Sequence, residues 1–161
     1  MFSPRAIRSI SSLNHLFYSI PSPALGNRSI STTAPIFTPV TSVQTNRAYA
    51  PFAHYSQTIK AGGHVWLSGQ IPADAQGNLI KGSTVQKTKA IIQNTKAILK
   101  EAGSGLDRVF KVVVYVKDSS IMSDFASVYD PAFPHRPARS LVEVSKLPAG
   151  VNIQVDFIAV V

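Results

Sequence analysis

The stretch RVFKVVVYVKD, from Arg108 to Asp118, decides the architecture of this chain because it places valine at successive positions. β-Branched residues favour strands, in which successive side chains point to opposite faces of the sheet. Val112 and Val114 therefore predict one buried face, and Val113 between them predicts that the other face is buried too. The end of the chain, Ile158-Ala159-Val160-Val161, repeats this two-sided apolar pattern. Both faces of the predicted sheet must therefore be covered.

Two helical patterns lie among the predicted strands. Between Thr84 and Ala102 apolar residues recur at helical spacing, with Ser83 or Thr84 able to cap the start and Gly103 the end. A shorter pattern of the same kind runs from Ser119 to Asp130. Strands are predicted at residues 56–60, 64–72, 108–118, 140–144 and 152–160. The order β-β-α-β-α-β-β predicts an α+β domain in which both helices cover one face of a single sheet.

The composition is that of one globular domain. The chain has 161 residues, of which 45% are apolar and 15% are charged, and this is enough to bury a core. Cysteine is absent, which excludes disulfides, thiolate metal ligands and a cysteine nucleophile. No apolar run approaches the roughly 20 residues that a membrane helix needs. The sequence therefore predicts neither a disulfide framework nor a membrane span.

The N-terminal segment has a composition of its own. Its positive charge comes from Arg5, Arg8 and Arg28, and the first acidic residue of the whole chain is Asp74. Apolar residues recur at helical spacing from Ile7 to Phe17. An acid-free amphipathic segment rich in Arg and Ser is typical of a mitochondrial transit peptide. A disordered N-terminal tail is the alternative.

Three segments are predicted on this basis. Residues 1–30 are a transit peptide with a processing site near Arg28-Ser29-Ile30-Ser31, which predicts a protein of the mitochondrial matrix. Residues 31–49, rich in Ser, Thr, Pro and Ala, are linker and extended lead-in, and residues 50–161 are the folded domain. The net charge of +8 comes partly from the N-terminal arginines. Because the remaining lysines are scattered without interleaved aromatic residues, nucleic-acid binding is not predicted.

Four short blocks carry a resemblance to a known family: Tyr55-Ser56-Gln57, Ser68-Gly69-Gln70-Ile71-Pro72, Pro137-Ala138-Arg139-Ser140 and Leu147-Pro148-Ala149-Gly150. In this order and at these intervals, the chain resembles the Rid family (RidA/YjgF) over residues 50–161, and especially its mitochondrial members in fungi. The resemblance implies a chorismate-mutase-like fold, with a single mixed β-sheet and two helices on one face. It also implies a homotrimer with ligand sites in the clefts between subunits.

The resemblance further implies an activity, the hydrolysis of reactive enamine and imine intermediates such as 2-iminobutanoate and 2-iminopropanoate to 2-oxo acids and ammonia. Arg139 matches the arginine of the PARS block and is expected to bind the substrate carboxylate through two parallel charge-assisted hydrogen bonds. Tyr55 and Ser68 are expected to line the cleft, against the apolar part and the polar end of the substrate. A surface arginine and two ordinary core or strand positions are the alternatives.

Gln154 departs from the pattern LPxGxxxExExIA of the deaminating members of the family. The matching position is usually a glutamate that orients and activates water, whereas an amide can hold a water but cannot take its proton. The predicted catalytic residues are therefore Arg139 and Gln154, with the water-activating half of the site weakened. Ala126, where an asparagine is expected, is a further departure. His54, next to Tyr55, is a speculative substitute for the missing base.

Two classes of function remain open. The first is an imine and enamine deaminase, and the second is a non-catalytic Rid protein that binds a small carboxylate and acts through protein contacts in mitochondria. No cofactor motif is present, so no cofactor is predicted. His54, His64 and His135 are too widely spaced to predict a metal site. Direct nucleic-acid binding rests on positive charge alone.

Overall fold

The sheet and its two helices lie within residues 39–161, the part of the chain that the computed structural model describes. The predicted transit peptide lies outside the described residues, as do residues 31–38 of the predicted lead-in. The elements in chain order are β1 Thr41–Val43, β2 Thr58–Ala61, β3 His64–Leu67, α1 Thr84–Glu101, β4 Val109–Val116, α2 Met122–Ala132, β5 Ala138–Glu143 and β6 Ile153–Val160. Short 3₁₀ helices cover Leu106–Arg108, Ser119–Ile121 and Pro148–Gly150. No helix among residues 39–161 is long and apolar enough to cross a membrane.

The strands form one mixed sheet in the order β1-β2-β3-β6-β4-β5. Only the pairing of β4 with β5 is parallel, and the other neighbours in the described sheet are antiparallel. The C-terminal strand β6 lies near the centre, between β3 and β4, so neither of the two strands with a two-sided apolar pattern is at an edge of the sheet. The prediction of an α+β chain with a single mixed sheet is confirmed.

Both helices pack on the same face of the sheet, as predicted. Alternation along β4 and β6 places Val112, Val114, Val155 and Phe157 on this covered face, and each of them is buried. The helices add further buried side chains, which are Ile91, Ile98 and Leu99 from α1 and Phe125 and Tyr129 from α2. The core is therefore the space between the helices and one side of the sheet.

Helix α1 begins at the predicted residue, Thr84, and ends at Glu101, one residue before the predicted end. Ser83 caps its start in a capping box, in which the Ser83 hydroxyl accepts from the Gln86 N–H and the Gln86 side chain accepts from the Ser83 N–H. At the other end Gly103 has φ 78°, and Ser104 N donates to Leu99 O at 2.8 Å. This Schellman arrangement explains why the helix ends at a glycine.

The structure differs most clearly from the predicted elements in three places, and the bounds of the other strands shift by one or two residues. A strand not predicted from the sequence, β1, pairs with β2 within the segment predicted as extended lead-in. Strand β3, predicted to run to Pro72, ends at Leu67 because the chain turns away there and only Gln70 pairs again with β6, at Val155. The second helix, predicted to begin at Ser119, starts with a 3₁₀ turn and is α-helical from Met122.

The opposite face of the sheet is covered by no element among residues 39–161. It presents large apolar side chains to solvent, including Trp66 at 49% exposure, Phe110 at 42% and Val142 at 41%. His64 packs against Phe110, with ring centroids 5.4 Å apart. Several large apolar side chains exposed on one face are typical of an interface. That neighbouring copies of the chain cover it stays a prediction.

Candidate functional site

A cavity of about 440 Å³ opens beside the end of β3. Its walls come from the segment before β2, the loop after β3, the 3₁₀ turn before β6 and β6 itself. The lining residues are Tyr49, Phe52, Ala53, Tyr55, Ser68, Gly69, Ile71, Pro148, Ala149 and Gln154. Three residues predicted for the site, Tyr55, Ser68 and Gln154, therefore meet in one cavity, although they are distant in the sequence.

Aromatic side chains form the apolar wall of this cavity. Tyr49 stacks on Phe52 with ring centroids 5.3 Å apart, and the hydroxyl of Tyr55 accepts from the Phe52 N–H at 3.3 Å. The Tyr49 hydroxyl accepts from the Ile71 N–H at 3.0 Å, and burial raises the pKa of Tyr49 to about 12. Tyr49 is therefore neutral at physiological pH and acts as a packing residue. Tyr55 is 45% exposed and is free to contact a ligand.

Ser68 is held by hydrogen bonds on both sides. Its hydroxyl donates to the Ser56 carbonyl at 2.6 Å, and its N–H donates to the Gln57 carbonyl at 3.0 Å. Because its own proton is committed, the Ser68 hydroxyl can offer a ligand only its remaining acceptor capacity. The pairing of Gln70 with Val155, with N–O distances of 2.8 and 2.9 Å, fixes this loop beside β6. The loop thereby brings Ser68 to the same cavity as Gln154.

Gln154 lies on the uncovered face of β6, where it is half-buried. Its Nε2 donates to Oδ1 of Asp156, two residues along the strand, at 3.4 Å. Gly69 packs directly over this pair, because a Cβ at Gly69 would lie 2.3 Å from Gln154 Nε2 and 2.9 Å from Asp156 Oδ1. Only glycine leaves room for the amide at this point of the loop. Gln154 therefore reaches the cavity as a positioned amide.

Asp156 is the residue of this region that sequence reasoning missed. Burial raises the pKa of its carboxyl group, while hydrogen bonds from Gln154 and Tyr115 act in the opposite direction. The Asp156 carboxylate in turn raises the pKa of Tyr115 on the neighbouring strand β4. The signal in the sequence was the second acidic position of the pattern LPxGxxxExExIA, which Asp156 occupies, together with the alternation of β6, which places residues 154 and 156 on the same face. Asp156 does not line the cavity, but it contacts a residue that does.

Arg139 is not brought to this cavity within one chain. It lies on the edge strand β5, and its pairing with Val112 places it on the helix-covered face. Its Cζ lies 5.1 Å from the centre of the Tyr129 ring, and Nη1 lies 3.8 Å from Oδ1 of Asp130. These residues belong to a second cavity of about 710 Å³, lined by Tyr129, Asp130, Phe133, Pro134, Arg136, Pro137 and Arg139. The predicted site is thus divided between two faces of the sheet.

The three histidines within residues 39–161 line neither of these two cavities. His54 is exposed and does not line the cavity beside Tyr55, so the structure gives no support to its use as a substitute base. His135 forms a 2.7 Å hydrogen bond with the Val109 carbonyl, and His64 packs on Phe110. Among residues 39–161, no group of three His, Asp or Glu side chains is close enough to hold a metal ion.

The fold and cavity together define a class of protein. It is a single-sheet α+β protein with a small, mainly apolar cavity whose polar groups come from two strand regions, and with an arginine on the other face at the sheet edge. The sequence matches the family described as Endoribonuclease L-PSP over residues 45–161. The chain therefore belongs to this family, which is the Rid (YjgF) family that the sequence blocks indicated.

Relatives and solved structures agree with this assignment. Protein MMF1, mitochondrial, of Saccharomyces cerevisiae is 40% identical over 137 residues, covering 82% of this chain and 94% of the relative. A RutC family protein of Pyrococcus abyssi is 44% identical over 117 residues, or 71% of this chain and 92% of the relative. The crystal structure of yeast Mmf1 superimposes with a TM-score of 0.74 at 41% identity, covering 76% of this chain and 98% of that one. Escherichia coli TdcF with bound serine gives a TM-score of 0.71 at 30% identity, with 75% and 98% coverage.

Proposed function

We propose that this chain is a Rid protein of mitochondria that binds small carboxylates and hydrolyses reactive enamine or imine intermediates of amino-acid metabolism to 2-oxo acids and ammonia. The observation that carries the proposal is the convergence of Tyr55, Ser68 and Gln154 on one cavity of about 440 Å³. A cavity of this size, with an apolar wall and few polar groups, suits a small ligand. TdcF, a relative with the same fold, was solved with bound serine, which is a small carboxylate.

The site is completed by a second copy of the chain. Gln154 lies on the uncovered face of the sheet, whereas Arg139 lies on the covered face at edge strand β5. A homotrimer that buries the uncovered faces would place Arg139 of one subunit at the cavity of its neighbour. The 3.8 Å pairing of Arg139 with exposed Asp130 does not prevent this. A surface ion pair of that kind contributes only about 0–1 kcal/mol, so a ligand carboxylate can replace it.

The residues present define roles in the hydrolysis. Arg139 holds the carboxylate in a bidentate pair, and Tyr55 packs against the apolar side chain of the substrate. A protonated imine is already electrophilic, so water adds to C2 while one of its protons is lost to solvent or to the developing amine. The C–N bond of the resulting carbinolamine then breaks, the hydroxyl loses its proton, and the products are a 2-oxo acid and ammonium. Gln154 orients the attacking water through its side-chain carbonyl and takes no proton.

The test is an imine-hydrolysis assay in which a pyridoxal-phosphate dehydratase generates 2-iminobutanoate in place. We expect the full chain to accelerate the release of 2-oxobutanoate. Arg139→Ala should reduce this acceleration by about 100-fold or more, since it deletes two hydrogen bonds to a charged group. Arg47→Ala is the control, because Arg47 is an exposed arginine that lines neither of the two cavities. Acceleration only after Gln154→Glu, and none by the native chain, would contradict the proposal.

One observation favours a second function, a non-catalytic carboxylate-binding protein. Gln154 stands where a general base is expected, and the titratable groups lining the cavity are the hydroxyls of Tyr49 and Tyr55. Loss of a positioned base commonly reduces a rate by about 10²–10⁴. Saturable binding of 2-oxobutanoate by calorimetry without turnover of the imine would support the binding protein. Turnover that depends on Arg139 would exclude it.

The proposed location is the mitochondrial matrix. Support comes from the Arg- and Ser-rich N-terminal segment and from the mitochondrial relatives in two yeasts, which are MMF1 of Saccharomyces cerevisiae and mmf1 of Schizosaccharomyces pombe. Import of the full chain into isolated mitochondria, with shortening near Ser31 and protection from added protease, tests the location. A chain that stays full-length and protease-accessible would contradict it.

Nucleic-acid binding stays outside the proposal, although the family description names an endoribonuclease. Within one chain, the residues that line the 440 Å³ cavity include no lysine, arginine or histidine to contact a phosphate, and the arginine that the proposed trimer adds is assigned to the substrate carboxylate. Phosphate contacts supply most of the affinity of proteins for nucleic acid and make that affinity fall steeply with salt. A strongly salt-dependent affinity of the full chain for RNA would support nucleic-acid binding as a function.

A further inference from the structure

The contact between Gln154 and Asp156 gives the amide of Gln154 a direction. The amide nitrogen Nε2 lies 3.4 Å from Asp156 Oδ1, and both atoms pack against Gly69. An ionised carboxylate is only an acceptor, so the reverse orientation would place the amide oxygen against a carboxylate oxygen with no proton between them. The charge on Asp156 therefore selects the orientation in which Nε2 faces the carboxylate. The carbonyl oxygen Oε1 is then the end of the amide that remains for a ligand.

Asp156 is free to act on the amide in this way. The ion pair found within residues 39–161 joins Arg139 to Asp130. No lysine, arginine or histidine in this part of the chain pairs with Asp156. The charged or titratable groups on the same face of adjacent strands are Tyr115 and Lys111 of β4 and His64 of β3. Lys111 donates instead to Ser140 at 2.8 Å. Gln154 is therefore the neighbour that donates a hydrogen bond to this half-buried carboxylate, and Tyr115 is close enough to lower the pKa of Asp156.

We propose that Asp156 is a positioning residue that holds Gln154 with its carbonyl oxygen toward the cavity, and that the site consequently prefers ligands with an N–H donor at C2 over 2-oxo acids. This inference rests on the proposed function and specifies its ligand class as protonated imines and 2-amino acids. In a ligand with C=O at C2, the carbonyl oxygen would face Gln154 Oε1. Both atoms are acceptors, so no hydrogen bond could form between them. The same orientation would favour release of the 2-oxo acid product.

Calorimetry on the full chain tests the preference with two ligands of matched carbon skeleton, L-2-aminobutanoate and 2-oxobutanoate. We expect the amino acid to bind about tenfold more tightly or better, as one opposed acceptor pair predicts. Asp156→Asn should remove the preference, because an asparagine amide can donate to Oε1 and let the Gln154 amide reverse. Asp156→Glu and Gln154→Glu should keep it, since both retain an acceptor where the inference needs one. Equal affinities in the native chain, or an unchanged preference in Asp156→Asn, would overturn the inference.

A second measurement separates this inference from the proposed function. The side-chain NH₂ signals of Gln154, identified by their loss in Gln154→Glu, should shift in NMR spectra as Asp156 titrates. The shift should persist in Tyr115→Phe and vanish in Asp156→Asn. If neither ligand binds at millimolar concentration, the proposed function fails and the ligand preference fails with it, while a persistent shift would keep the positioning role of Asp156. If the signals do not respond to Asp156, the positioning role is wrong whatever the chain binds.

Discussion

The two faces of the sheet are formed by the same strands but present different kinds of side chain. On the covered face, β4 and β6 present only apolar side chains, and these are buried under α1 and α2. On the uncovered face the same strands alternate apolar residues with Gln154, Asp156, Tyr115 and Lys111. The covered face is complete within one chain, whereas the uncovered face is not.

This difference assigns stability mainly to one face of the sheet and the candidate site to the other. The covered face supplies the free energy of folding, because it removes the apolar area of both helices from water. The uncovered face carries the Gln154 amide that reaches the candidate site and the Asp156 carboxylate that contacts this amide, together with exposed Trp66 and Phe110. Burial of that face by a neighbouring copy would couple the site to assembly. Substitutions on the two faces should therefore have different consequences.

The largest loss of stability is expected on the covered face, from Phe157→Ala. Phe157 is 1% exposed and stacks on Phe133 with ring centroids 5.8 Å apart. Truncation of a buried phenylalanine typically costs about 3–5 kcal/mol. Urea denaturation should show this loss in the free energy of unfolding. Ile158→Ala, the next residue on the opposite face, is the control, and an equal loss at both positions would remove the distinction between the faces.

The next largest effect is expected on the uncovered face, from Trp66→Glu. The side chain of Trp66 is 49% exposed in a single chain, so the substitution should leave folding intact. In the proposed trimer it would bury an unpaired charge, and we expect association to weaken by about 100-fold or more. Light scattering should then give the mass of a monomer, and circular dichroism an unchanged spectrum. Gln93→Glu, on the exposed side of α1, adds the same charge as a control. A native chain that is already a monomer at micromolar concentration would refute the trimer itself.

The fold could be predicted from the sequence because its signals are local. Periodicity and turn chemistry predict the two helices, their capping residues Ser83 and Gly103, and the order of helices and strands along the chain. Strand β1 was missed because only Thr41–Val43 pair with β2, too few residues to show alternation in a segment of Ser, Thr and Pro. The early end of β3 was missed because its apolar residues continue into the loop as the cavity wall at Ile71.

The site could be predicted only in part, because its geometry is not local. Tyr55, Ser68 and Gln154 were named from sequence blocks, and the structure places them together. That Arg139 lies on the other face depends on the register of β5 beside β4, which no sequence pattern states. Asp156 occupies the second acidic position of the pattern LPxGxxxExExIA, so the sequence contained a signal for it. Its role could be assigned only once its neighbours Gln154 and Tyr115 were known.

A smaller effect on thermal stability is expected from Asp156→Asn, which removes the charge. The sign of the change in Tm shows whether the carboxylate supports the fold or only positions Gln154. The folded chain raises the pKa of Asp156 above the ordinary value of about 3.9. Between these two pKa values the folded state binds more protons than the unfolded state, so stability falls as pH rises through this window. Asp156→Asn should therefore raise the Tm at pH 7 and leave it unchanged at pH 3. Thermal denaturation at both pH values measures this, and a lower Tm at pH 7 would mean that the carboxylate supports the fold.

The smallest effect is expected at the turn that closes the cavity, from Ala149→Gly. Ala149 has φ 54° and is followed by Gly150 at φ 71°, so two successive residues adopt the left-handed conformation. This conformation costs a residue with a Cβ roughly 1–2 kcal/mol, whereas glycine adopts it freely. Because glycine also loses more entropy on folding, by about 0.5–1 kcal/mol, we expect a net gain of about 0.5 kcal/mol in the free energy of unfolding. Gly150→Ala is the matched opposite, and it should lose stability although nothing lies within 4 Å of the added methyl group. If urea denaturation shows Ala149→Gly to be destabilising, the methyl group of Ala149 contributes more through its place in the cavity wall than its backbone conformation costs.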